Sequence, residues 1–398
     1  MTNEEEIKRS EIFKKSSDVA KNLMVNADTF FPQFNDEKAR QAWKDRLSVV
    51  TEAGNVVRGF ENGSEKPIAK NVLELAEEVE KLYQKTCINV ANMKLPAEKN
   101  FCKKVLSSTY LLTRYMKDFI AHPGQKSQEK FQNVYRTHGP LKLVYLLASI
   151  LEIEATNPLK IAMASENGKT KATFQMWEGT IKFSLSLLMF IEAFAGGQGL
   201  DLMIGKTGKA VKDLATWKED YKKNEGYWTE MQTYLPKWLN ENSKLSNKEK
   251  ADHIKAKMDS YLTNDAFYIS VFDHYYYNKN QYWDDIRVGN DQFISCYGPG
   301  GGNNFVYRSK LANKAGLATM EEFRRKVQSY KSYVYKDKII DVLSKNPIPN
   351  VGFYIVYGGL NEEIRDSNFT LRSDGPGWWT YSFDFGGPHE RKLFIGYL

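Results

Sequence analysis

Three cysteines in a chain of 398 residues are too few and too scattered to hold a fold together. Cys87, Cys102 and Cys296 give an odd count without metal-ligand spacing, which argues against a disulfide framework and suits a reducing compartment. The histidines His122, His138, His253, His274 and His389 stand far apart, and none has a second histidine four residues away with a glutamate beside it. Neither a metal site nor a cofactor is therefore expected. The opening residues, MTNEEEIKRSEIF, contain no apolar core, so no secretory signal is expected. The chain is read as cytoplasmic, with non-classical release left open. The glycosylation sequons at Asn62 and Asn368 would matter only in the secretory pathway.

A catalytic constellation is missing as well. Gly205-Lys206-Thr207 has the end of a phosphate-binding loop, but the glycine required five positions earlier is replaced by Leu200. Gly298-Pro299-Gly300-Gly301-Gly302-Asn303-Asn304 could cradle an anion with backbone amides, and such stretches more often join strands. Asp284, Asp285 and Asp291 supply carboxylates in a turn-rich stretch, without the contrasting environments that acid–base work needs. No enzyme is expected. The excess of basic over acidic residues is modest, +7 overall, and the aromatic C-terminal region does not lie in a basic field. Nucleic acid is therefore not an expected partner.

What is present divides into two kinds near Leu262. Up to there the chain reads as helices. Ile68, Val72, Leu75, Val79 and Leu82 alternate spacings of four and three, with Glu74, Glu77, Glu78 and Glu80 on the other faces, the pattern of a bundle seam. Phe101, Val105, Leu112 and Phe119 mark a further helix that His122-Pro123-Gly124 should end. Gly139-Pro140 introduces the apolar stretch Leu141 to Ala155, and helical patterning resumes from Lys209 to Asn242. Beyond Leu262 lie 14 of the 23 tyrosines and 10 of the 22 phenylalanines, an enrichment that favours strands.

AFYISVFD (266–273) and VGFYIVY (351–357) suit strands buried on both faces. Trp379, Tyr381, Phe383 and Phe385 alternate with polar residues as in a half-exposed strand, and Lys392 to Tyr397 should be the last strand. Phe323, Val327, Tyr330 and Val334 place one long helix over Met320 to Leu343. The expected class is mixed, α with α/β: an N-terminal long-helix bundle over 1–262, then a smaller α+β domain over 263–398 with an antiparallel sheet and one long helix.

The order of a helical region, a paired apolar element (YLLASILEIEA, then TIKFSLSLLMFIEAF), a basic amphipathic helix and an aromatic strand domain resembles the cephalotoxin-like and rapunzel-related proteins of animals. The local likenesses lie between Gly139 and Gly197, in AFYISVFDHYYY and in NVGFYIVYGG. The resemblance implies a helical protein with relatives suspected of acting on membranes. Those toxins are secreted and cysteine-rich, features this chain does not share, so no residue-level role is carried over.

The stretch from Thr180 to Gly205 is close to the length and apolarity of a membrane span, but Lys182 and Glu192 interrupt it. Its large residues Ile181, Phe183, Leu185, Leu187, Leu188, Met189, Phe190, Ile191 and Phe194 cover the helix all round, which belongs in a core or in lipid. Two functions follow. In the first, the protein is membrane-active in the manner of an α-pore-forming toxin, with a hydrophobic hairpin buried until it inserts. In the second, it is a cytosolic, non-enzymatic scaffold that binds a partner through its C-terminal domain, where Tyr275, Tyr276, Tyr277, Trp283 and Trp378 could form an aromatic surface. Membrane lipid or a protein is the expected partner, and a homo-oligomer is left open.

Overall fold

The computed structural model describes residues 96–121, 125–195, 199–273, 283–287, 292–297, 302–309, 351–357, 360–367, 378–383 and 391–397, with positions 84, 325 and 345. The chain divides into two compact units. One takes Met1–Ser165 and Thr173–Glu219, the other Glu166–Ala172 and Asp220–Leu398. The seam over Ile68–Leu82 lies outside the described residues, as does the helix expected over Met320–Leu343 apart from Arg325, which is helical.

The first unit is helical. α1 (Pro96–Phe101) continues through one π-helical stretch, Cys102–Leu106, into α2 (Ser107–Ala121). Phe101, Val105, Leu106, Leu112 and Met116 form its buried side, and α2 stops immediately before His122-Pro123-Gly124. α3 (Gln125–His138) and α4 (Pro140–Glu152) follow, with Pro140 at the first position of α4, where its missing N–H costs nothing. Leu143, Val144, Leu147, Ile150 and Leu151 give α4 a stripe at spacings of three and four, and it is buried.

Asn157 joins α4 to α5 (Pro158–Ser165): its side-chain amide donates to the Leu151 carbonyl at 2.8 Å and accepts from the Lys160 N–H at 3.1 Å. One fully buried side chain thereby satisfies the end of one helix and the start of the next. α6 (Lys171–Ala195) and α7 (Leu200–Lys222) complete the helices whose greater part belongs to this unit. The apolar run Thr180–Gly205 is therefore broken between Ala195 and Leu200. α7 begins well before Lys209, because the burial of Met203, Ala210 and Leu214 outweighs the roughly 1 kcal/mol that each interior glycine costs a helix.

The second unit layers helices on two sheets. α8 (Gly226–Glu241) and α9 (Asn247–Ser260) precede the strands, and α9 starts at a capping box of Ser246 with Glu249. The strands are β1 (Ala266–Asp273), β2 (Trp283–Arg287), β3 (Phe293–Tyr297), β4 (Gly302–Ser309), β5 (Val351–Tyr357), β6 (Leu360–Ser367), β7 (Trp378–Phe383) and β8 (Arg391–Tyr397). They pair in two antiparallel sheets, in orders β3-β4-β1-β6 and β2-β5-β8-β7.

β1 is buried on both faces, as its apolar run requires. Phe267, Ile269 and Val271 join Ile294, Cys296 and Val306 beneath α8 and α9. Ala266, Tyr268 and Phe272 join Phe293, Phe305 and Tyr307 on the opposite face, where Phe394 of β8 meets them with its ring centre 4.6 Å from that of Tyr268. The composition change near Leu262 thus marks where strands begin, while the compact unit that holds them also takes in the two preceding helices.

Candidate functional site

The central helix α6 is the first place to look for function, and most of its residues face inward. Ile181, Leu185, Leu187, Leu188, Met189 and Ile191 are all buried. Phe183, Phe190 and Phe194 lie on the same helix, and their side chains are outside the described set. Burying one such aliphatic side chain contributes about 1.5–3 kcal/mol, so the segment is a large part of what holds this unit together.

The two charges that interrupt the apolar run are met inside the unit. Lys182 donates to Glu178, one turn earlier, at 2.9 Å, and both side chains are buried. Glu192 is 1% exposed, and its carboxylate accepts from the Tyr135 hydroxyl at 2.7 Å and from the Gly199 N–H at 2.8 Å. Burial, reinforced by the Glu192 carboxylate, pushes the Tyr135 hydroxyl far above its usual range, which keeps it a donor. A Cβ on Gly199 would stand 2.9 Å from that carboxylate and 3.2 Å from Leu141, so glycine lets the chain approach closely enough to make the bond. Gly205, Lys206 and Thr207 sit inside α7, where helical geometry commits their amides. No helix among the described residues is long and apolar enough to cross a membrane.

The outer side of α4 and α7 has a different character. The described residues expose three large apolar side chains, Tyr145 at 41%, Ile153 at 54% and Leu202 at 57%, and all three belong to these helices or their ends. Leu141 abuts Gly199, the Lys206 ammonium lies 5.0 Å from the centre of the Tyr145 ring, and Lys209 bridges to Glu152. α4 and α7 therefore run side by side in the same direction. The Lys209 hydrogen bond holds the Glu152 carboxyl below its usual range. Leu202 stands one turn before Lys206, on the end of α7 nearest Tyr145, and Ile153 directly follows Glu152 at the other end of α4.

In the second unit the helix layer carries a chain of polar and aromatic contacts. The Trp238 ring lies flat on the His253 ring at 3.8 Å, and the Tyr234 hydroxyl meets His253 Nε2 at 2.7 Å. Lys257 lies over the rings of Tyr234 and Tyr261 and donates to Glu230 at 2.9 Å, while the Tyr261 hydroxyl donates to the same Glu230 oxygen at 2.8 Å. Burial pushes the Glu230 carboxyl up, but these two hydrogen bonds outweigh it and hold the group below its usual range. Deeper, Arg308 of β4 is 1% exposed, stacks on Trp228 and donates to Glu225 at 3.1 Å. Asp265 lies 3.9 Å from the same guanidinium and accepts from Tyr227. Every strong charge here is answered by a neighbour, which is the chemistry of a structural layer.

Residues 70–387 match the model of a family described as a protein of unknown function, DUF684. The chain belongs to that family. The match runs from before α1 to beyond β7, so it takes in parts of both units. No curated protein and no solved structure matches the chain.

Of the expected aromatic surface, the described residues hold the backbone of Trp283 and Trp378. Tyr275, Tyr276 and Tyr277 lie outside the described residues. Trp283 opens β2 and Trp378 opens β7, on opposite edges of the second sheet. Through the register, Trp283 shares a row with Tyr357 and Lys392, while Trp378 shares one with Gly396 and Phe353. The two tryptophans thus start from diagonal corners, about 14 Å apart across the strands and about 13 Å along them.

Cys296 faces the helix layer, where burial pushes its thiol up to about 12 and leaves it inert at neutral pH. The exposed apolar residues of α4, its end and α7 and the Tyr234–His253–Trp238 stack escaped sequence reasoning. The available signal was Lys206 and Lys209 recurring beside Leu202, which reads equally as an ordinary solvated face.

Proposed function

We propose that the protein works by binding another protein, without catalysis and without entering a membrane. The observation that carries this reading is that the exposed large apolar side chains of the described residues, Tyr145, Ile153 and Leu202, all belong to α4, its C-terminal end and α7 of one unit. Scattered singly they would need no explanation. The pairing of Lys182 with Glu178 and of Glu192 with Tyr135 and Gly199 supports a permanent core role for α6 over the inserting role. Withdrawing the helix into lipid would break the Glu192 contacts and leave its charge to be met again, at a cost of about 3 kcal/mol or more. A cytoplasmic setting, suggested by the three scattered cysteines, belongs to the same proposal.

Dye release from anionic liposomes tests it. Purified protein is expected to release no dye from about pH 5 to about pH 8, the range in which histidine-based triggers act. Release at any pH in that range, with the protein floating with the vesicles, would overturn the proposal in favour of membrane activity.

A further inference from the structure

We infer that Tyr234, with His253 as its proton acceptor, is a one-electron oxidation site, where a chain of aromatic rings in the second unit brings oxidising equivalents out of the core. This goes beyond partner binding and does not rest on it. The rings begin deep in the unit. Trp228, Tyr227 and Tyr261 are buried, and the Tyr227 ring centre lies 6.3 Å from that of Trp228 and 5.3 Å from that of Tyr261. The Lys257 ammonium spans the next step, 5.0 Å from the Tyr261 ring centre and 4.9 Å from that of Tyr234. Tyr234 and Trp238 are only partly buried and stand one turn apart on α8. Indole and phenol lose an electron more readily than the aliphatic side chains around them, so a vacancy made on one of these rings passes along the others.

The proton decides where it comes to rest. A neutral phenoxyl forms only if the hydroxyl proton leaves with the electron, which favours the tyrosine whose hydroxyl meets the strongest base. Tyr227 donates to Asp265, and Tyr261 donates to Glu230 at 2.8 Å. Carboxylates have ordinary pKa values of about 4, and Glu230 is held lower still. The Tyr234 hydroxyl instead meets His253 Nε2 at 2.7 Å, and imidazole has an ordinary value of 6.5. A phenol is a stronger acid than a neutral imidazole N–H, so the hydroxyl donates and Nε2 accepts. Burial, followed by the Lys257 charge, keeps the imidazole neutral at pH 7 and able to take a proton. The Trp238 ring, flat against His253 at 3.8 Å, holds it in place. Lys257 lies over both Tyr234 and Tyr261 and is answered by Glu230 at 2.9 Å, so its charge does not choose between them.

The step balances with an oxidant of the sulfate- or carbonate-radical class, which takes one electron. The Tyr234 O–H bond breaks, an N–H bond forms at His253 Nε2, and a phenoxyl radical is left beside an imidazolium. A one-electron reductant such as ascorbate returns the electron, and His253 returns the proton.

Sulfate radical, photogenerated from persulfate with a ruthenium tris-bipyridine dye, is the probe. Full-length protein is oxidised in the presence of a nitroso spin trap, and peptide mass spectrometry locates the adducts. More adduct is expected on Tyr234 than on Tyr145, although Tyr145 is the better exposed of the two, at 41%. A larger share on Tyr145 would overturn the inference, and that comparison needs no variant. His253→Phe keeps a ring against Trp238, and His253→Gln keeps an acceptor that is no base. Both should lower the Tyr234 adduct about tenfold or more relative to Tyr145 in the same sample. An adduct undiminished in both variants, or retained in His253→Gln alone, would overturn the role of His253 as base. Tyr234→Phe should raise oxidation of Trp228, and Trp228 oxidation left unchanged would overturn the chain.

Discussion

At the scale of single residues, the decisive pair is Lys182 with Glu178. An ion pair taken out of water gives back in Coulomb attraction about what it loses in hydration, so its net worth is small while the cost of breaking it is large. Lys182→Met, which leaves Glu178 buried without its cation, is expected to cost about 3–5 kcal/mol in denaturant unfolding. Lys182→Met combined with Glu178→Leu is expected to recover most of that loss or exceed wild-type stability. Equal losses in the single and double variants would show that the pair is not what holds the charges in the core.

His253 supplies a second residue-scale prediction. Burial, followed by the nearby Lys257 charge, holds its imidazole below the ordinary value of 6.5. A depressed pKa means that the unfolded chain takes up the proton more readily. The associated stability is complete above about pH 6.5 and is lost as pH falls through the folded value. Melting temperature should therefore decline on going from about pH 7.5 to about pH 5.5, with Glu230 adding its own loss only in the carboxylate range further down. His253→Phe keeps the ring on Trp238 and should flatten the upper part of that decline. An unchanged slope in the variant would remove His253 as its source.

At the scale of elements, the turn between α5 and α6 does more than reverse the chain. Residues Glu166–Ala172 belong to the second unit, where the Leu262 N–H donates to the Lys169 carbonyl at 2.8 Å and Thr170 bridges to Tyr261. Gly168 lies directly against the Tyr261 ring, and a Cβ there would also come within 2.6 Å of Glu230. Tyr261 is fully buried and cannot yield, so Gly168→Ala is expected to cost about 1–3 kcal/mol. Calorimetry that finds no loss would mean that this turn is not fixed against α9.

The elements also show which signals a sequence carries. The end of α2 at Ala121 and the start of α4 at Pro140 were legible because proline and glycine restrict the backbone locally, whatever the rest of the fold does. β1 was legible because burial on both faces leaves no polar alternation. The start of α7 was not, since Gly196, Gly197, Gly199 and Gly205 read as one loose stretch, and only the packing of Met203 and Leu214 decides where the helix resumes. Pairing of strands into two sheets depends on contacts between residues about a hundred positions apart, such as Ser270 of β1 with Ile364 of β6, which no local spacing records.

At the scale of the whole molecule, the described helices enclose an apolar segment whose charges are paired, and among the described residues the large exposed apolar side chains belong to α4, its end and α7. The core role of Leu185, Leu188 and Ile191 could be read from an all-round apolar helix only as an alternative to lipid. The partners that favour the core, Glu178, Tyr135 and Gly199, become visible only in three dimensions, because Tyr135 is 57 positions from Glu192.

Hydrogen exchange across residues 180–195, with and without anionic liposomes, tests the permanence of that core most directly. Strong protection that liposomes leave unchanged is expected at about pH 5 and about pH 7, as for amides that open only when the unit unfolds. Loss of protection in that segment on adding liposomes, while the sheets of the second unit stay protected, would contradict it.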